Sequence, residues 1–127
     1  MSFTMATIKR FEDTLAWQKA RQATKRIYQI CGEEKFAKDF GLCNQLQRAS
    51  VSIMANIAEG FGRHSDKEFA NFFNIAHGSV SEVQSHLYVA LDLNYIDQQV
   101  FNDIYELLNE ISRMTLALAQ KLRGSKI

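Results

Sequence analysis

Histidines paired with glutamates are the first candidates for chemistry in this sequence. Glu68 follows His64 by four residues, and His86 follows Glu82 by four, with His77 alone between them. Residues four apart share one face of a helix, so each pair could contribute to a metal site. Two ligands are too few, however, and no H-x-x-x-H or E-x-x-H pair occurs. We therefore expect no metal ion and interpret the histidines as exposed helical residues.

No set of residues has the arrangement of a catalytic site. Cys31 and Cys43 match neither a C-x-x-C redox pair nor a zinc ligand set, and we interpret them as reduced, buried, small apolar residues. Glu59, His64 and Ser65 fall at a predicted helix end and turn, which does not supply a nucleophile, a base and an orienting partner. We expect a protein that is not an enzyme and that carries no cofactor. A small hydrolase or metalloprotein is the third alternative, testable by metal analysis.

A basic stretch is the clearest candidate for binding. No acidic residue occurs between Thr14 and Gly32, and the basic residues on the predicted outer face of this segment are Lys19, Arg21, Lys25 and Arg26. Such a face could contact phosphates and release their counterions. The alternative is a solvated helix face that is balanced by acids of a neighbouring subunit. No RNP-type aromatic strand or zinc-finger spacing is present, so any nucleic-acid binding would be electrostatic and independent of sequence.

Helices must position these residues, because the chain has no proline and no run with the alternation of a strand. The first predicted helix begins after Asp13 or Thr14 and ends at Cys31, where Gly32 stops it. The second spans about Leu42 to Phe61, and the glycines at 60 and 62 predict a left-handed cap.

Two further helices follow from capping signals. "SDKE" predicts a capping box, with Ser65 as N-cap and Glu68 as its third residue. "DLNYID" predicts a break that ends with Asp97 as the next N-cap, followed by a strong apolar stripe. Short connections make these neighbours antiparallel. We predict an all-α, up-down-up-down antiparallel four-helix bundle over residues 11–123, with flexible segments at 1–10 and 124–127.

Composition limits the class of protein. A chain of 127 residues with 46% hydrophobic and 23% charged residues fits one globular domain. Its apolar runs are too polar to span a membrane, and the N-terminus has no apolar segment typical of a secretory signal. We expect a cytoplasmic protein. The net charge of +1 favours no particular partner.

The second predicted helix carries very little charge. Between Leu42 and Phe61 only Arg48 and Glu59 are charged. Opposite its predicted core face lies a second apolar set, formed by Val51, Met54, Ala58 and Phe61. A helix that is apolar nearly all round is normally buried nearly all round, so this set predicts a homo-oligomer with the second helix at the subunit contact. The alternative is scattered, exposed apolar residues.

A polar stripe also follows this helix and continues onto the third. Its members are Gln45, Arg48, Ser52, Asn56, Glu59, Ser79 and Glu82. Folding the two helices about the turn near residue 64 brings Ser52 level with Ser79 and Arg48 level with Glu82. We predict an Arg48–Glu82 ion pair and interpret the stripe as a structural seam that fixes register, not as a reaction centre.

The same residues resemble a known family. "QLQRASVSIMANIAEG" and "EFANFFNIAHGSVSEVQSHLYVALDLNY" are similar to the bacterial four-helix-bundle proteins encoded within 23S ribosomal RNA intervening sequences. "FEDTLAWQKARQATKRIY" fits the same pattern, so the resemblance covers nearly the whole chain from Phe11. It implies a four-helix bundle that assembles into a ring-shaped homopentamer. It also implies nucleic-acid association through a basic surface, as thought for a related accessory protein of diversity-generating retroelements.

The resulting expectation is a non-enzymatic homo-oligomer, a pentamer, that associates with RNA or a ribonucleoprotein. The alternative is a protein-interaction scaffold with no nucleic-acid role. Salt-dependent binding of RNA or DNA would separate the two.

Overall fold

Helices account for all the regular structure that is described. The computed structural model describes residues 8–63 and 65–124, without the side chains of Asp66 and Arg123. A 3-10 turn at Phe11–Asp13 is followed by α1 Leu15–Cys31, α2 Glu34–Ala37, α3 Phe40–Phe61, α4 Asp66–Asp92 and α5 Gln98–Gly124. No strand occurs in these residues, which confirms the all-α prediction. Residues 1–7 and 125–127 lie outside the description, so the predicted flexible segments at 1–10 and 124–127 stay predictions.

The four long helices pack in chain order around one core. α3 packs along α4, α4 packs against α5, and α1 contacts both α3 and α5. Large side chains from every long helix are fully buried between them: Ile27, Leu46, Ile53, Ile57, Phe69, Val80, Val83, Leu87, Ile104, Leu108 and Ile111. These positions recur every three or four residues, as an amphipathic helix requires. The short helix α2 adds Phe36, which stacks on Tyr95 with ring centroids 4.9 Å apart.

Side-chain caps fix where the helices begin. The backbone N–H of Trp17 donates to the Thr14 hydroxyl at 3.3 Å, so Thr14 rather than Asp13 is the cap of α1. Asp97 accepts from the N–H of Val100 at 2.8 Å. Asp39 accepts from the N–H of Leu42 at 3.1 Å, which is why α3 begins two residues before its predicted start.

Ser65 caps α4 as predicted, but with one difference from a capping box. Its hydroxyl accepts from the N–H of Glu68 at 3.1 Å. The same hydroxyl donates to the Glu68 carboxylate at 2.8 Å. The Glu68 side chain therefore holds the cap hydroxyl and does not need to reach the backbone N–H of Ser65.

The predicted left-handed cap of α3 is wrong. Gly62 follows the helix with φ −80°, and no described glycine has a positive φ. Gly60 lies inside the helix instead, where an added Cβ would lie 2.5 Å from Cε1 of Phe73. Close packing of α3 on the Phe73 ring, not backbone conformation, accounts for glycine at this position.

Candidate functional site

The predicted basic face of α1 lies beside acids of the same chain. Lys19 Nζ is 3.6 Å from Glu110 Oε1. Lys25 and Arg26 line an open groove of about 630 Å³ between α1 and α5, and its far side includes Asp103, Glu106 and Glu110. The face is thus a mixed-charge groove, because α5 supplies anions along much of its length.

One alternative stated for the basic face was a solvated helix face whose charge is balanced by acids of a neighbouring subunit. In the structure, acids of the chain's own α5 lie beside this face, so no acids of a neighbouring subunit are needed to balance its charge. Asp103, Glu106 and Glu110 are three and four residues apart, so they share one flank of a helix. These three acids could have been predicted to lie beside α1. Their spacing places them on one flank of a helix, and the first and last helices of an up-down bundle are neighbours.

The other edge of α1 combines cations with aromatic rings. We call Trp17, Arg21, Lys25 and Tyr28 the α1 edge, since they are four, four and three residues apart. The Arg21 guanidinium lies 5.8 Å from the centroid of the Trp17 ring. Lys25 is exposed and borders the mixed-charge groove as well as this edge, and Tyr28 is 48% exposed. No acid lies on α1 itself. This edge offers positive charge together with ring faces, which are the two elements of a single-strand nucleic-acid surface.

Hydroxyl groups close the predicted polar seam between α3 and α4. The Ser52 and Ser79 hydroxyl oxygens are 2.9 Å apart, which confirms the predicted register. Asn56 Nδ2 donates to the Ser52 hydroxyl at 3.1 Å and to the Ser52 carbonyl at 2.8 Å. Gln45 is exposed, and Glu59 pairs with Arg63 one turn later. Of these bonds, the one between Ser52 and Ser79 joins the two helices, while the others lie within α3 or at its C-terminal end.

The predicted Arg48–Glu82 ion pair is wrong within this chain. Both residues are described and exposed, and no ion pair within 4.0 Å joins them. The basic side chain beside Glu82 is His86, whose Nε2 lies 3.8 Å from Glu82 Oε2. Arg48 and Glu82 are therefore both open to solvent in the single chain.

Only part of the second apolar set of α3 faces water. Val51 is 44% exposed. Met54 and Phe61 are partly buried and pack against the core, and Ala58 is half-buried. The 3-10 turn at Phe11–Asp13 packs against α3 as well. The chain therefore covers part of this set itself, while its role in a subunit contact stays a prediction.

The two cysteines lie in the core, apart from the α1 edge and the polar seam. Burial raises the pKa of the Cys31 thiol to about 12, helped by the neighbouring Cys43 thiol. Cys43 Sγ donates to the Phe36 carbonyl at 3.3 Å. His64 is outside the described residues. Among those that are described, no three His, Cys, Asp or Glu side chains come close enough to hold a metal ion.

Aromatic and amide contacts between α4 and α5 were not predicted. Tyr88, Phe101 and Tyr105 form a cluster with ring centroids 4.8 to 5.8 Å apart. The nearby Tyr88 raises the pKa of Tyr105. Gln84 Nε2 donates to Asn109 Oδ1 at 2.8 Å. These contacts need the relative rotation of two helices, which periodicity alone does not give.

Comparisons with known proteins agree with the fold. The family described as 23S rRNA-intervening sequence protein matches residues 12–117. A crystal structure of a protein of unknown function from the S23 ribosomal protein family of Bacteroides thetaiotaomicron is similar, with a TM-score of 0.76 and 26% identity. The match covers 84% of this chain and 96% of that one. No curated protein matches the chain.

No helix among the described residues is long and apolar enough to cross a membrane. The family match spans most of the chain and includes the seam of α3 and α4 and the whole of α1. The chain belongs to the 23S rRNA-intervening sequence protein family.

Proposed function

We propose that this chain is a non-enzymatic, cytoplasmic homo-oligomer, a pentamer, that associates with RNA or a ribonucleoprotein through the α1 edge. The observation that carries the RNA proposal is the geometry of that edge. Arg21 lies over the Trp17 ring, and Lys25 and Tyr28 are exposed on the same side. Cations of this kind neutralise phosphates, and an exposed ring such as that of Tyr28 can stack on an unpaired base.

Charge distribution favours the α1 edge over the whole basic face. Lys19 is paired with Glu110, and Arg26 is half-buried beside the acids of α5. Arg21 is exposed and lies outside this groove. A phosphate approaching the groove would meet carboxylates, whereas one approaching Arg21 would meet an aromatic ring and a cation. Binding should therefore be weak, dependent on salt and independent of sequence.

The test compares two double variants that remove the same charge. Arg21→Gln with Lys25→Gln should weaken binding to a single-stranded RNA oligonucleotide. It should also flatten the plot of log K against log salt by about 1.4, as expected for two lost phosphate contacts on a single strand. Lys19→Gln with Arg26→Gln is the matched control, and it should change the slope much less. Fluorescence anisotropy across a range of salt concentrations measures both.

A protein-interaction scaffold without RNA binding is the second candidate function. The mixed-charge groove between α1 and α5 supports it, because its cations and anions suit a peptide that carries both signs better than a polyphosphate. Equal slopes for wild type and both double variants, or no measurable binding at low salt, would favour this candidate and contradict RNA association.

A further inference from the structure

The outer surface of the α3–α4 pair is almost free of charge. In residues 40–58 and 71–91 the only Asp, Glu, Lys or Arg residues are Arg48 and Glu82. Surfaces that face water usually carry charge at about a quarter to a third of their positions. The centres of protein interfaces are depleted of charge. The composition of this surface, which we call the α3–α4 outer face, is that of an interface.

Exposed apolar and small residues lie beside these two charges on both helices. On α3, Arg48 is followed at helical spacing by Val51 and Ala55, both exposed. On α4, Ile75 and Val89 are 44% and 43% exposed. Single exposed apolar residues are common on protein surfaces. Here several of them lie on the outer side of two adjacent helices, where the only charged residues are Arg48 and Glu82.

Gly78 has no role in the packing of its own chain. It is exposed in the middle of α4, and a Cβ added there would meet no atom within 4 Å. Glycine inside a helix costs about 1 kcal/mol relative to alanine. Gly60 offsets that cost by packing under Phe73, whereas Gly78 has no such compensation within the chain. A missing side chain at an exposed position lets another backbone approach closely.

Arg48 and Glu82 lie at the same level of the bundle without pairing. The contact between Ser52 and Ser79 at 2.9 Å sets the register. Arg48 is one turn before Ser52, and Glu82 is about one turn after Ser79. Both side chains point to solvent, and no ion pair joins them. Arg48 has no ion-pair partner within the described chain and Glu82 has His86 beside it, so both can bind an opposite charge from outside the chain.

We propose that a second copy of this chain covers the α3–α4 outer face, and that Arg48 of one copy pairs with Glu82 of the next. The face carries one cation and one anion, so a second copy supplies the complement to each. In the proposed ring the α3 part of this face, with Arg48, contacts the α4 part of the next copy, with Glu82, so every Arg48 has a partner. The inference rests on the proposed homo-oligomer and assigns its interface.

The assigned interface differs from the one predicted from the sequence, which was the second apolar set of the helix that is now α3. Val51 stays in the interface. Met54 and Phe61 pack largely on the core of their own chain, so they contribute less to it. Ile75, Gly78 and Glu82 of α4 take their place beside α3.

Charge reversal tests the pair. Arg48→Glu and Glu82→Arg should each weaken self-association about thirty-fold or more. Each variant replaces the ion pair between copies with a contact between two like charges in an interface from which water is excluded. Mixing the two variants should restore most of the self-association, because the acid introduced at position 48 of one variant then faces the base introduced at position 82 of the other. A ring of five retains one like-charge contact, since two variants cannot alternate around an odd number of subunits. Light scattering and native mass spectrometry measure these masses. Only a pair between copies predicts recovery on mixing.

A steric variant tests the surface without changing charge. Gly78→Trp has open space within its own chain, so circular dichroism should show a folded helical protein. The same variant should lose the oligomer. Ala117→Trp, at an exposed position of α5, is the matched control and should keep the wild-type mass.

The outcomes separate this inference from the proposed assembly. An oligomeric wild type whose mass survives Arg48→Glu, Glu82→Arg and Gly78→Trp would overturn the assigned interface and leave the homo-oligomer standing. A monomeric wild type would overturn both, and would assign the face to a partner of another sequence. RNA binding by the α1 edge is measured independently of either result.

Discussion

At the scale of single residues, the two cysteines show how burial controls reactivity. Burial and the adjacent Cys43 raise the pKa of the Cys31 thiol from its ordinary 9.0 to about 12. The raised pKa leaves much less of the reactive thiolate at neutral pH. The structure thus agrees with the interpretation of Cys31 as a small buried apolar residue and not as a nucleophile.

Native thiol labelling tests this interpretation. With a maleimide reagent at pH 8, Cys31 should react orders of magnitude more slowly in the folded protein than in urea, because unfolding returns its pKa to the ordinary value. Peptide mapping by mass spectrometry locates the label. Rapid labelling of Cys31 in the folded protein would contradict the buried position.

Gly60 is a second residue whose identity follows from packing. An added Cβ would lie 2.5 Å and 2.8 Å from two atoms of the Phe73 ring. Phe73 is itself 2% exposed and has little room to move. Gly60→Ala should therefore lower the free energy of unfolding by about 1 to 3 kcal/mol, the usual cost of overpacking a core.

Urea denaturation of Gly60→Ala and Gly62→Ala checks this expectation. Gly62 is the matched control, because an added Cβ there meets only backbone oxygens at 3.8 Å and 4.0 Å. Equal stability of the two variants would show that Phe73 can move aside and that Gly60 is not required by packing.

At the scale of elements, a hydrogen bond ties the α4–α5 connection to the start of α3. The Tyr95 hydroxyl donates to Asp39 Oδ2 at 2.9 Å, while Asp39 Oδ1 caps α3. This carboxylate raises the pKa of Tyr95 above its ordinary value of 10.0. One aspartate therefore joins the cap of one helix to the connection between two others.

The raised pKa predicts a loss of stability at alkaline pH. A group whose pKa is higher in the folded state stabilises the fold below its unfolded pKa and loses that effect as pH rises through the folded value. Wild type should be more stable than Tyr95→Phe below about pH 10. The difference should vanish above that range, where a charged Tyr95 would face the Asp39 carboxylate.

Thermal unfolding across pH 8 to 11.5 measures this difference. Tyr28→Phe, which removes an exposed hydroxyl on α1, is the control and should follow wild type. A stability difference between wild type and Tyr95→Phe that does not depend on pH would contradict the bond to Asp39.

The elements were largely predictable because their signals are local. Thr14, Ser65 and Asp97 cap helices at the predicted positions, and a cap needs only the next three residues. The end of α3 was mispredicted, since glycine suits either a left-handed cap or a close contact. Only the distant Phe73 decides between these two.

The candidate site was less predictable, because it depends on helix rotation. Register alone placed Ser52 beside Ser79, and that contact is confirmed. The same register placed Arg48 level with Glu82, but whether they pair depends on the direction in which each side chain leaves its helix. The acids of α5 beside α1 required the packing of the first helix on the last.

At the scale of the whole molecule, charge is distributed very unevenly. The α1–α5 side carries cations and anions together, including Lys19, Lys25, Asp103 and Glu106. The α3–α4 outer face carries one charge of each sign. The proposed assembly accounts for this difference, because in it one side faces solvent and the other faces a neighbouring copy.

Mass in solution is the most direct test of this account. At micromolar concentration, light scattering coupled to size exclusion should give a homo-oligomer, with five times the 14.5 kDa chain mass for the proposed pentamer. A single species of 14.5 kDa at that concentration would contradict the assembly and the interface assigned to Arg48 and Glu82.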